Sequence, residues 1–374
     1  MRDLFLLVVA SATVASSLMG QSVTPQTVRL EPSAWTATDS LRFGSWLGQP
    51  SVYINRGLAL ANDTNLINGT LDFDIAATDR SNNIGIAFHG RDLDHYEAII
   101  FRVGLSGTID AMQYSPGLNS LAVAWQIFYG DGANAAVEVP RGRWRHVSIS
   151  IHGDSADVYL DRGKDPVLTV SHLVVGKDGG GKVGIWTGAF GAGAYISNLQ
   201  YTVDPTPHPI SAQSLPPGTV SDWQLSQVFD ASSQIPGTLP TLASLHWDSV
   251  HAESPGLVLI NRYRKAPTRG APQDVDSILG GRVAGSKVVY ARTVVTSARA
   301  DVRKLEVGFS DGLVVYCNGV PLYSGAHPSG LNDFGIWHPL GDAVYLPLKP
   351  GRNEIVMAVT EYFGGWAFSA RWDR

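Results

Sequence analysis

Between Thr70 and Ala76 the chain reads TLDFDIA, with apolar and acidic residues in strict alternation, and runs of this kind recur along its length. Strand side chains alternate between two faces, so a period of two is satisfied only by a sheet with one face in a core. Further candidate strands are 83–89, 96–103, 122–129, 145–152, 156–161, 182–186 and 195–202, then 245–252, 256–261, 287–296, 302–310, 313–317, 343–348, 353–360 and 366–372. Gly, Asp and Asn turns separate them, and no alternation of strands with helical patterns is present. With 40 glycines, 10 tryptophans and 13 tyrosines, the chain is expected to be all-β, built of β-sandwiches.

At 374 residues the chain is long for one compact unit, and five prolines between Asp204 and Thr219 block helix and central-strand pairing there. We therefore expect one sandwich over 25–203, a semi-rigid Pro-rich linker over 204–219 and a second sandwich over 220–374. The stretch 264–286, rich in Gly, Ala and Arg, is an irregular segment of open function. The N-terminus, MRDLFLLVVASATVASSLMGQS, has one basic residue before an apolar run and small residues after it. It is expected to be a signal peptide over 1–20 of a secreted or periplasmic protein, the other reading being an uncleaved anchor. A formal net charge of -5 without a basic cluster argues against nucleic acid and anionic membrane as partners. Cys317 is the only cysteine, which excludes an intrachain disulfide and reads as a small buried hydrophobe.

Alternation also sorts candidate functional residues. Leu71, Phe73 and Ile75 point one way and Asp72 and Asp74 the other; Ile84, Ile86 and Phe88 take the core side of the next strand, opposite Gly85, Ala87 and His89. The expectation is a shallow trough floored by Gly85 and Ala87, into which Asp72, Asp74 and His89 project. Tyr96 and Arg102 share a face of the third strand, and Trp125 and Gln126 follow. Aromatic rings stack on the C–H faces of sugars, while Arg and Gln fork to adjacent hydroxyls. The run His89–His95 offers clustered carboxylates and imidazoles, read either as a metal site or as a charged turn. Glu97 shares its strand face with Ile99, Phe101 and Val103, and so sits at the strand mouth or beside a cation. Trp144, Val147, Ile149 and Ile151 read as core.

The run from Tyr96 through Arg102, then Asp110-Ala111-x-Gln113-Tyr114, Trp125-Gln126, Ala135-Ala136-Val137-Glu138 and Trp144-Arg145-His146-Val147, resembles the concanavalin A-like lectin/glucanase superfamily, particularly its LamG-like and 3-keto-disaccharide-hydrolase-like members. The resemblance spans roughly 25–203. It implies a jelly-roll sandwich whose concave sheet carries a sugar site, here Arg91, Asp94, Tyr96, Arg102, Gln113, Tyr114, Trp125 and Gln126, with a calcium ion beside it. Laminarinase-like members carry Glu-x-Asp-x-x-Glu on such a strand, whereas this chain has Asp-Phe-Asp-Ile-Ala-Ala without the third acid.

In the second half, Phe309–Tyr323 has a strand, an Asn318-Gly319 turn and another strand, and Lys349-Pro350-Gly351 precedes a late strand. This resembles galactose-binding-like jelly-roll domains. The tail around Gly364-Gly365 sets Glu361 and Trp366 as a second candidate sugar shelf, the other reading being that Trp366 closes the sandwich. No Gly-x-Ser-x-Gly, His-Glu-x-x-His or phosphate-binding loop is present. The leading expectation is a carbohydrate-binding protein. A glycoside hydrolase or lyase using Asp72, Asp74 and His89 as acid/base groups is the second, and an interaction or surface-scaffold module without a sugar is the third.

Overall fold

The computed structural model of the chain describes residues 24–119, 125–176, 180–188, 191–210, 214–231, 238–265, 286–326, 340–361 and 365–373. The segment 1–20 expected to be a signal peptide and most of 264–286 lie outside these residues. The described chain is all-β, as expected, and its sheets are antiparallel.

Residues 26–203 build two sheets packed face to face. One runs Leu168–Val170, Ser155–Leu160, Trp144–His152, Gly69–Ala77, Ala194–Val203, Gln49–Ile54 and Leu41–Trp46, with Gln26–Thr27 beside Ala194–Val203. Its outer face is open, and we call it the open sheet. The other, the covered sheet, runs Asn134–Ala135, Met112–Tyr114, His95–Arg102, Asn83–Asp92, Lys182–Thr187, Gly57–Ala61 and Trp35–Ala37, with Gly117–Leu118 beside His95–Arg102. Between them lies the core that alternation dictates: Leu71, Phe73 and Ile75 with Val147, Ile149 and Ile151 from one sheet, and Ile84, Ile86, Phe88, Ile99 and Phe101 from the other. Each such side chain withdraws enough apolar surface to contribute about 1.5–3 kcal/mol.

Residues 222–372 build a second pair of sheets. Trp247–His251, Asp222–Ser226, Lys287–Ser297, Gly351–Glu361, Gly312–Cys317 and Val320–Ala326 form one, and Leu257–Leu259, Ala367–Trp372, Asp301–Ser310 and Asp342–Leu348 the other. Asn318 and Gly319 turn the expected hairpin with φ of 51° and 84°, values Asn and Gly accept at low cost. Cys317 is buried, and burial raises its thiol pKa.

Three expectations are corrected. Residues 125–129 form a turn rather than the end of a strand, and 120–124 lie outside the described residues. The strand expected over 256–261 stops at Leu259, where Ile260–Tyr263 makes one helical turn. Trp35–Ala37, Leu41–Trp46, Gln49–Ile54, Gly57–Ala61 and Asp222–Ser226 are strands the alternation did not reveal. The two sheet pairs touch: Leu257, Leu259 and Ala367 pack into the first core, and Asn119 Nδ2 donates to Asn261 O at 2.8 Å. Among the described residues no helix is long and apolar enough to cross a membrane.

Candidate functional site

The trough expected over Gly85 and Ala87 is filled. Both residues are buried, and Ala87 joins Leu58, Leu60, Tyr96, Ala98, Ile100 and Trp186 in an apolar cluster on the outer face of the covered sheet. Tyr96 has no exposed surface, and burial raises its phenol far above the ordinary range. His89, 1% exposed at an irregular step of its ladder with φ 48°, turns its Nε2 to the Ile67 carbonyl at 2.8 Å. Asp72 and Asp74 belong to the open sheet, so the expected trio with His89 does not converge.

The expected sugar-facing set is likewise divided. Arg102, Gln113 and Trp125 do meet: the Arg102 guanidinium donates to the Gln113 side-chain oxygen and to Asp110 O at 3.0 Å, and lies 5.8 Å from the Trp125 ring centre. Gln113, with no exposed surface, spends its amide on the carbonyls of Trp125, at 2.7 Å, and Phe128. This group fixes the 125–128 turn. Tyr114 points into the core, and Gln126, also buried, accepts the Gly365 N–H at 2.9 Å. Arg91 and Asp94 flank a tight turn in which Asp92 Oδ1 accepts from Asp94 N at 2.9 Å and from His95 Nδ1 at 2.8 Å. The His89–His95 run is thus a charged turn, with Asp94 paired to Lys265 at 2.5 Å.

Glu97 is wholly buried. Its Oε2 accepts the Tyr114 hydroxyl at 2.6 Å, and its Oε1 accepts the N–H groups of Val175 and Gly176 at 2.6 and 2.9 Å. Three donors are what a buried carboxylate requires. Burial, followed by the neighbouring Glu97 charge, raises the Tyr114 pKa well above its usual value.

The open sheet carries a different constellation. Across three adjacent strands Trp144, Ala76 and Tyr195 stand in one outward row, and His146, Asp74 and Ser197 in the next. Tyr195 stacks on Trp46 with ring centres 4.8 Å apart and planes 9° apart, and Trp144 meets Trp46 edge-on at 5.6 Å. Tyr53, on the neighbouring strand, lies 4.8 Å from Tyr195 and under the Arg42 guanidinium at 4.3 Å. The small Ala76, Ser51 and Ser197 leave room for these rings. In the second row His146 Nδ1 donates to Asp74 Oδ1 at 2.9 Å while its Nε2 lies 3.8 Å from Asp72. A bulge at Ser197–Gln200 puts Asn198 at φ 49°, from where its Nδ2 donates to Asp74 Oδ2 at 2.7 Å and to Gln49 Oε1 at 3.1 Å. Asp74 is thereby held on both oxygens, and Asp72, beside the same imidazole, has no hydrogen-bond partner among the described residues.

Trp46, His146, Tyr195 and Asn198 are residues the sequence reading missed, and Trp144 is corrected from core to outward. The parity that placed Val147 inward already places Trp144 and His146 on the other face, beside Asp74.

In the second sandwich Trp366 is wholly buried, its indole donating to Val359 O at 3.2 Å, so it closes the core and forms no shelf. Glu361 is 8% exposed; burial first, then the Asp311 charge, raises its carboxyl well above the usual range. Among the described residues no group of three or more His, Cys, Asp or Glu side chains could hold a metal ion.

No protein family matches the sequence, and no curated protein does. Solved structures similar to the chain include the carbohydrate-binding module CBM66 from Bacillus subtilis, at 15% identity over 45% of this chain and 95% of that one, with a TM-score of 0.34. A Bacillus licheniformis beta-glucanase aligns at 11% identity over 49% and 98%, TM-score 0.34. A galectin-like protein of unknown function from Bacillus subtilis aligns at 10% identity over 48% and 94%, also at 0.34. Likeness at this level carries no argument about chemistry, which rests on the residues themselves.

Proposed function

We propose that the chain binds carbohydrate on the outer face of the open sheet. The observation that carries the proposal is the juxtaposition, in adjacent rows of three neighbouring strands, of a half-exposed aromatic group and a hydrogen-bonded Asp74–His146–Asn198 cluster. Trp and Tyr rings meet the C–H faces of a pyranose, and carboxylate, imidazole and amide groups meet its hydroxyls. The unit 25–203 would bind and 220–374 would support it, in a protein exported to the periplasm or the medium. The experiment is calorimetric titration with plant and microbial polysaccharides. Trp144→Ala or Tyr195→Ala should weaken binding about two- to tenfold, because one stacked aromatic contributes on the order of 0.5–1.5 kcal/mol. Wild-type protein that binds none of them, or variants that bind as tightly as wild type with folding intact, would overturn the proposal.

A second reading, cleavage, draws on one observation: His146 stands between the carboxylates of Asp72 and Asp74, an arrangement capable of proton transfer. It replaces His89 with His146. Release of reducing sugar that vanishes in Asp72→Asn, with binding retained, would establish it; absence of any release from bound substrates would reject it.

A further inference from the structure

We infer that the site on the open sheet takes a run of several uncharged sugars laid along the Gly69–Ala77 strand, rather than one terminal sugar; this rests on the carbohydrate reading above. Beyond Ala76 and Asp74 the same strand presents two more outward rows. Asp72 stands between Ser148 and Gln200, and Thr70 between Ser150 and Thr202. From Ala76 to Thr70 is six residues, roughly 20 Å at the rise of a strand. The aromatic group lies at one end of this track, and the imidazoles of His152 and His208, 5.3 Å apart, border the other, where Ser150 Oγ meets His152 Nε2 at 2.8 Å.

Two features select the occupant. The side chains of Thr70, Ser148, Gln200 and Thr202 have no hydrogen-bond partner among the described residues, so a strip of donors and acceptors continues past the stacking rings. The charges on the strands of this face are Asp72, Asp74 and Asp157 against Arg42, which is engaged on the Tyr53 ring. Such a balance disfavours uronate or sulfated chains and accepts neutral hydroxyls.

The experiment is titration of the full chain with ladders of neutral gluco-, xylo-, manno- and galacto-oligosaccharides of one to six units, beside oligogalacturonides of matched length. Affinity for the recognised ladder should rise with length, and Thr70→Val with Thr202→Val should weaken the longest oligosaccharide by about two- to tenfold per lost hydrogen bond while leaving the dimer unchanged. Trp144→Ala should weaken both. A monosaccharide bound as tightly as the hexamer, a double variant that affects all lengths alike or none, or oligogalacturonides bound as tightly as neutral chains would overturn the inference and leave the carbohydrate reading standing. No binding by any ladder or polysaccharide would remove both.

Discussion

Glu361 continues an inward row, Ile355, Met357 and Val359, into the core of the second sandwich, yet its Oε2 has no hydrogen-bond partner among the described residues. A carboxyl whose pKa is raised by folding prefers its protonated form in the native state. Its stabilising contribution is therefore complete below the ordinary value of 4.5 and is lost as pH rises through the folded pKa. Glu361→Gln keeps the shape and removes the charge. It should be more stable than wild type at pH 8, because the native state then buries no carboxylate charge beside Asp311. The advantage should shrink toward zero at pH 4. Denaturant midpoints at the two pH values check this, and an equal gap at both would contradict it. Glu97, as deeply buried, differs because three donors reach it. Parity in the sequence shows both glutamates facing inward, but two of the three donors to Glu97 come from Val175 and Gly176, 78 and 79 residues away, where no local pattern announces them.

At the scale of strands, alternation located which face each residue occupies and could not tell whether that face was covered. Asp72 and Asp74 are outward and open; Gly85 and Ala87 are outward and buried, because a two-residue period encodes direction and says nothing of what packs from afar. The N-terminal strands were illegible for a related reason. Leu41–Trp46 reads LRFGSW, an edge strand with Gly and Ser in it, so Trp46 gave no sign of lying over Tyr195. Gly85 is bare to admit a neighbouring backbone. A Cβ there would stand 2.4 Å from Ile99 O and 3.1 Å from Ile100 Cα, and neither atom can rotate aside. Gly85→Ala should destabilise by about 1–3 kcal/mol, the usual range for overpacking. Gly44→Ala, with nothing within 4 Å of its Cβ, should be neutral or gain a few tenths of a kcal/mol. Urea midpoints of the two variants decide it: a Gly85→Ala variant as stable as wild type would contradict the close backbone approach.

Across the whole molecule the two sheet pairs are joined by a chain of side-chain contacts. Arg262 Nε and Nη2 hold the Glu253 carboxylate at 2.5 and 3.0 Å, and the same Nη2 donates to Val174 O at 2.9 Å. Val174 N in turn donates to the Tyr114 hydroxyl at 3.1 Å, and that hydroxyl donates to Glu97. One guanidinium therefore ties the second sandwich to the buried polar network of the first, in parallel with Leu257, Leu259 and Ala367 seated in the first core. Both partners of the Arg262–Glu253 pair are mostly buried, with side chains 14% and 12% exposed, so a substitution of Arg262 breaks a buried pair and the bond to Val174 together. Elements that share a core and an ion pair lose them together, so unfolding should be a single transition by circular dichroism and fluorescence. Arg262→Ala should lower the stability of the whole chain by about 1 kcal/mol or more, since it removes at least one charged hydrogen bond. Hydrogen exchange gives the sharper test: peptides covering Phe73 and Met357, each from the core of its own sandwich, should share one opening free energy in wild type, and both should fall in the variant. Peptides that open with different energies in wild type, or a variant in which only those near Met357 lose protection, would show that the sandwiches unfold independently.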